Sequence, residues 1–133
     1  MSEKFIFEFV SPENLILSKE VKEVIVPGSE GAFTVLYGHA PVISSLKPGI
    51  LTIIEDENVD SVDYFVLGGF ADVSSKGLTI LAENAILRDE LSTEFLDAMI
   101  KNSEAEIVAS DNDITKQRFQ EKVDQLKEIQ NIL

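Results

Sequence analysis

Phe5, Phe7 and Phe9 alternate with Lys4, Ile6 and Glu8, the period of two that sends one row of side chains inward and the next outward on a strand. Ser11-Pro12-Glu13-Asn14 then supplies turn chemistry. Short apolar runs follow at 15–17, at 21–26 (ended by Pro27-Gly28) and at 33–36, 42–46, 50–54, 62–67, 71–73 and 78–81. Strands recurring every 8–12 residues between turn signals predict an all-β sandwich or barrel. The acidic stretch Glu55-Asp56-Glu57-Asn58 reads as a solvated hairpin loop, and 74–77 as another.

Beyond Gly77 the chain contains neither glycine nor proline, and from Leu91 the period changes. Ser92 suits a helix N-cap, with Glu94 close behind it at the positive end of the macrodipole. Phe95, Leu96, Met99, Ile100, Ile107 and Val108 fall on one helical face, with Ser103 filling the turn between them. The stretch 109–113 breaks the pattern, and Asp113 reads as the cap of a second helix carrying Phe119, Val123, Leu126, Ile129 and Leu133 at three- and four-residue steps. Two amphipathic helices joined by a short polar loop predict an antiparallel hairpin. The expected division is a strand domain over 1–86 and a helical hairpin over 87–133, whose modest contact area would let it work as a movable arm or stay docked.

Charge narrows the partners. The chain holds 24 acidic residues against 11 basic ones, a net charge of −13, which repels nucleic acid and anionic lipid and is compatible with a basic protein partner. With no cysteine, disulfides and thiolate metal sites are excluded. No apolar run approaches the ~20 residues of a membrane helix, so membrane association is expected to run through a partner. Residues 5–10, interrupted by Glu8, form neither a secretory signal nor an Arg-rich transit peptide.

The search for chemistry is negative. His39 is the sole histidine. In Tyr37-Gly38-His39-Ala40-Pro41 it sits in a turn without a nucleophile or acid at recognisable spacing. Glu55, Asp56, Glu57 and Asp60 lack an apolar flank that would raise a carboxyl pKa. Asp111-x-Asp113 opens like a calcium loop, but Lys116 and Lys122 stand where such a loop needs glycine and glutamate. Gly68-Gly69 has neither P-loop nor dinucleotide spacing. A free-standing adaptor for a basic protein fits these observations, and a carboxylate-based hydrolase fits them less well.

A more specific signal is the ordered run Val26-Pro27-Gly28-Ser29-Glu30-Gly31-Ala32-Phe33-Thr34-Val35-Leu36 leading into Tyr37-Gly38-His39-Ala40-Pro41. It is followed by Leu46-Lys47-Pro48-Gly49, by Gly68-Gly69-Phe70-Ala71-Asp72-Val73 and by Thr79-Ile80-Leu81-Ala82-Glu83-Asn84-Ala85. These four segments resemble the epsilon subunits of bacterial F-type ATP synthases, equivalent to the mitochondrial delta subunit, and the resemblance covers essentially the whole chain. It implies a ten-stranded β-sandwich followed by a two-helix hairpin. It implies a non-catalytic central-stalk subunit that clamps gamma to the c-ring and couples its rotation to ATP synthesis, with no cofactor. Transient contact with the alpha and beta subunits is part of the same picture. By position, Ser29, Glu30, Gly31 and Ala32 would face the c-ring, and Ser11, His39 and Ser44 would face gamma. The implied location is the cytoplasmic face of a bacterial plasma membrane, held peripherally; a chain starting at Met1 is read as bacterial.

Some relatives bind ATP through [IL]-D-x-x-R-A in the hairpin. The aligned residues here are Leu91-Ser92-Thr93-Glu94-Phe95-Leu96, which lack both the Asp and the Arg, so a phosphate would meet a carboxylate instead of a guanidinium. Inhibition of hydrolysis, which in relatives uses basic residues of the hairpin, is expected to be weak: residues 87–133 hold 11 acidic and six basic side chains, net −5.

Overall fold

The computed structural model describes residues 3–132. The chain divides into two compact units, Met1–Arg88 and Asp89–Leu133.

The first unit holds ten strands: β1 (Phe5–Val10), β2 (Leu15–Val21), β3 (Glu23–Val26), β4 (Phe33–Leu36), β5 (Val42–Ser45), β6 (Gly49–Ile54), β7 (Val62–Leu67), β8 (Phe70–Ser74), β9 (Gly77–Leu81) and β10 (Asn84–Leu87). They form two five-stranded sheets, ordered β2-β1-β9-β8-β5 and β10-β7-β6-β3-β4. All the pairings are antiparallel except β1 with β9. The alternation of the first strand is realised: Phe5, Phe7 and Phe9 are buried and Ile6 and Glu8 exposed.

Two departures from the sequence pattern have physical causes. The apolar run at 21–26 is not one strand, because the chain leaves the first sheet after Val21 and enters the second at Glu23. Val21, Val24 and Val26 are all fully buried, and the three-residue step from Val21 to Val24 cannot be made on one face of a continuous strand. The tenth strand, β10, is a half-exposed edge strand and so has no clean alternation to betray it.

The core is built from inward faces of both sheets: Phe7, Phe9, Leu78 and Ile80 from the first, and Val24, Val26, Val35 and Leu51 from the second. Phe9 meets Tyr64 of β7 edge-on, with ring centroids 5.1 Å apart and planes at 88°, a favoured aromatic geometry. Burying each such side chain contributes about 1.5–3 kcal/mol.

At one corner the sheets are laced by backbone. Gly28 bridges to Leu46, Lys47 N donates to Pro27 O (3.1 Å), and Leu46 N donates to Gly69 O (3.0 Å). Gly69 has φ of +104°, and a Cβ there would run into the Leu81 carbonyl; only glycine fits. At the opposite end of the strands the acidic loop after β6 departs from a purely solvated reading. Glu55, Asp56 and Glu57 each take a lysine: Lys19 (2.9 Å), Lys4 (3.3 Å) and Lys22 (3.0 Å). Lys4 and Lys19 belong to the first sheet's strands or their approach, and the loop to the second, so these two pairs span the sandwich, while Lys22 lies where the chain crosses from one sheet to the other. Arg88 closes this unit with a bond from Nη1 to Asp63 Oδ2 (3.1 Å).

The second unit is the hairpin of α1 (Thr93–Ala109) and α2 (Asp113–Ile132). Ser92 is the N-cap of α1, accepting from Phe95 N at 3.0 Å. The cap of α2 is Asn112 rather than Asp113: its Oδ1 accepts from Ile114 N (2.8 Å) and Thr115 N (3.3 Å). Asn and Asp cap equally well, so sequence could not choose between neighbours. Leu96, Ile100 and Ser103 are buried on α1, and Val123, Leu126 and Ile129 on α2. Phe95 is 40% and Val108 86% exposed, so the apolar stripe of α1 is narrower than its sequence suggests. Leu133 lies outside the described residues. Gln130 Nε2 reaches Thr93 O (3.4 Å), tying the end of one helix to the start of the other, as an antiparallel pair requires.

Two outcomes follow for stability. Gly69→Ala is expected to lower stability by about 2 kcal/mol or more, since strain at positive φ adds to the clash; urea denaturation checks it. The Asp56 carboxyl is held below its usual range by the hydrogen bond from Glu57 N and then by the Lys4 ammonium. Its contribution is therefore present above the ordinary carboxylate pKa and is lost as pH falls through the lowered folded value. Melting curves should show Asp56→Asn less stable than the native chain near pH 7, with the difference shrinking toward about pH 2.

Candidate functional site

β4 and β5 are edge strands of opposite sheets, and the Tyr37–Pro41 turn joins them in sequence. The turn between β3 and β4 carries Ser29, Glu30, Gly31 and Ala32. A shallow groove of about 500 Å³ runs along this edge, lined by Glu30, Gly31, Ala32 and Phe33 on one side and by residues 39–44 on the other. Gly31 has φ of +132°, which lets the turn reverse and its N–H reach Gly28 O at 3.0 Å. The tip of the turn is exposed from Ser29 through Ala32.

Hydrogen bonds hold this corner in shape. Ser29 N donates to Ser45 O (2.9 Å), and the Ser29 and Ser45 hydroxyls meet at 2.7 Å. The turn is thereby fastened to β5. His39 Nδ1 lies 2.7 Å from the Ala40 carbonyl, to which it donates as Nδ1–H, and its ring faces Phe33 at 6.2 Å between centroids. Its backbone N–H donates to Leu36 O (3.1 Å). These partners make His39 a brace of the turn between the two edge strands. Ser44 donates its hydroxyl to Ser45 O at 3.0 Å.

The sequence-predicted residues are therefore unevenly distributed. Glu30, Gly31, Ala32, His39 and Ser44 surround one groove, and Ser29 is bonded beside it. Ser11 is elsewhere, in the β1–β2 turn, where it exchanges backbone bonds with Asn14 (2.8 and 3.3 Å) and lines a different depression with Glu83. A further cavity of about 510 Å³ opens at the other end of the β4–β5 connection, with Lys4, Glu20, Tyr37, His39 and Lys76 among its walls. Its charges are mixed and peripheral. A surface of this kind, with one acid on an exposed turn above an apolar groove, suits a protein contact better than a reaction.

Sequence reasoning missed three exposed apolar residues: Ile43 (73%), which lines the groove, Tyr37 (59%), which lines the further cavity, and Phe70 (42%), paired with Ser45 of β5. A signal for Phe70 was available in strand parity. Ala71 and Val73 are inward on β8, so Phe70 and Asp72 must face out.

Comparison with known proteins agrees with the motifs. Residues 4–88 match the family described as "ATP synthase, Delta/Epsilon chain, beta-sandwich domain". The chain belongs to the ATP synthase delta/epsilon family. It is 42% identical over 131 residues to the ATP synthase epsilon chain of Parvibaculum lavamentivorans, covering 98% of each chain. To that of Chelativorans sp. it is 38% identical over 133 residues, covering 100% of this chain and 98% of the relative. Its fold is similar to a chain in the Euglena gracilis mitochondrial ATP synthase (OSCP/F1/c-ring), with a TM-score of 0.76, 23% identity and coverage of 97% and 81%. The delta/epsilon sandwich of the family is thus the unit that carries the groove.

Proposed function

We propose that this chain is the non-catalytic epsilon subunit of the central stalk of a rotary ATP synthase, joining the gamma subunit to the c-ring and passing torque between them. Full-length identity of 42% to an ATP synthase epsilon chain carries the reading, and the corner geometry supports it. Glu30 stands on an exposed turn that hydrogen bonds fix to β5, a rigid acidic contact for basic loops of the ring, alongside Ser29, Gly31 and Ala32. Ser11, His39 and Ser44 are the contacts toward gamma. Within the described residues no helix is long and apolar enough to cross a membrane, so in this reading the subunit is peripheral, held at the cytoplasmic face of a bacterial plasma membrane by its partners. The sandwich carries the rotor contacts and the hairpin is a regulatory arm.

The hairpin is a weak brake on ATP hydrolysis. Its 11 acidic and six basic residues over 87–133 leave it at −5, and α1 opens on Ser92 and Phe95 where ATP-binding relatives carry an acid and a guanidinium.

Co-expression with gamma and c subunits tests the rotor reading. The chain is expected to co-purify with both, and Glu30→Lys is expected to weaken ring association about tenfold while leaving gamma bound. Recovery of the chain free of gamma and ring would sink the proposal. For the hairpin, calorimetry with ATP should give no micromolar binding. Deleting residues 89–133 should leave hydrolysis by the assembled enzyme within about twofold, below the change that loss of one good contact produces; strong activation would refute it.

A further inference from the structure

The turn between β3 and β4 has a fixed base and an open tip. Gly28 is buried, and a Cβ there would meet the Gly31 carbonyl and the Phe33 ring. At Gly31 the place of a Cβ has nothing within 4 Å. Glu30 lies between them, exposed and in no ion pair among the described residues. Its carboxylate is therefore aimed by the backbone of the turn. Within the turn, Gly31 N donates to Gly28 O. The hold from outside comes through Ser45, a residue that none of the motif segments includes.

Ser45 ends β5, an edge strand of the first sheet, whereas β3 and β4 belong to the second. Its carbonyl accepts from Ser29 N (2.9 Å), and its hydroxyl meets the Ser29 hydroxyl at 2.7 Å. Ser29 is held at two points by one residue. A single hydrogen bond leaves a turn free to pivot about it, and a second bond between the same two residues removes that rotation. Ser44 donates its hydroxyl to the same Ser45 carbonyl at 3.0 Å, which adds a second donor to the anchor. Exposed hydrogen bonds of this kind contribute little to global stability. Their effect is local order, because a contact already fixed in its bound geometry loses less entropy on binding.

We propose that Ser45 is a positioning residue for the ring contact: by holding Ser29 at two points it fixes the direction of Glu30 and ties the turn of the second sheet to the first. The inference rests on the rotor reading above and adds the residue that orients its ring-facing acid. The anchor also gives load a path across the sandwich. A force on Glu30 passes into β5 through the Ser29–Ser45 bonds and on into β8 through the ladder pair of Ser45 with Phe70. A turn fastened to its own strands alone would bend at Gly31, where a φ of +132° and open space leave the backbone free.

Two measurements decide the matter: c-ring binding by the complex of this chain with gamma, and backbone amide order parameters of the full chain by NMR. Ser45→Val and Ser45→Thr introduce side chains of the same shape, both suited to a strand, and only threonine keeps the hydroxyl. Ser45→Val is expected to weaken ring binding about threefold to fivefold, the scale of one neutral hydrogen bond. It should also lower the Glu30 and Gly31 order parameters from about 0.85 toward about 0.6, with the melting temperature nearly unchanged. Ser45→Thr should restore both. Ser29→Ala should reproduce Ser45→Val, and the double variant should be no worse than either alone, as a single shared interaction requires. Should Ser45→Val melt early, Ser29→Ala tests the same hydroxyl pair. Native order at Glu30 and Gly31 in both variants overturns the inference, as does a Ser45→Thr chain that behaves like Ser45→Val. Weaker ring binding with native order would make Ser45 a direct contact and overturns it too. Failure of the native chain with gamma to bind the ring overturns the rotor reading and the positioning role with it.

Discussion

Burial of Phe5, Phe7 and Phe9 along one face of β1 constrains everything around it. Three aromatic rings on a six-residue strand must be covered by a second sheet, and Phe9 finds there the edge of Tyr64. β1 is central enough in its sheet to pair with both β2 and β9. Its outward residues are therefore committed to the opposite face by the pleat, and the same packing that builds the core dictates what the protein presents to partners. A one-residue slip would exchange the two sets entirely.

Strands closed in this way leave function to edges and corners. At one end backbone hydrogen bonds from residues 27–29 and 45–47 draw the two sheets together and fix the turn bearing Glu30. At the other, three lysines hold the acidic loop after β6. Exposed ion pairs contribute little individually, yet three consecutive carboxylates on three lysines restrict one loop in several directions. Both ends are stiffened, which suits a part that transmits force rather than one that opens around a substrate.

The hairpin follows different rules. Its order rests on a narrow buried stripe and on caps at Ser92 and Asn112, with most of its surface polar. A helical pair of this kind keeps its own contacts through local spacing. Its net negative charge shapes what it can bind more than its fold does.

The alternation in β1, the switch from strand to helix period near Leu91, the Ser92 cap and the ordered glycine and proline motifs are all local patterns, and each was legible because the physics behind it acts within a few residues. The sandwich, the hairpin and the family follow from them. Strand pairing is not local. The break at Lys22, the edge strand β10, the lysine partners of Glu55, Asp56 and Glu57, and the gathering of His39 and Ser44 beside Glu30 while Ser11 stands apart all depend on which strands lie side by side. So does the meeting of Ser29 with Ser45, which come from opposite sheets. Sequence determined which residues face in and which face out; only tertiary structure decided which outward residues became neighbours, because register joins positions that the chain itself holds far apart.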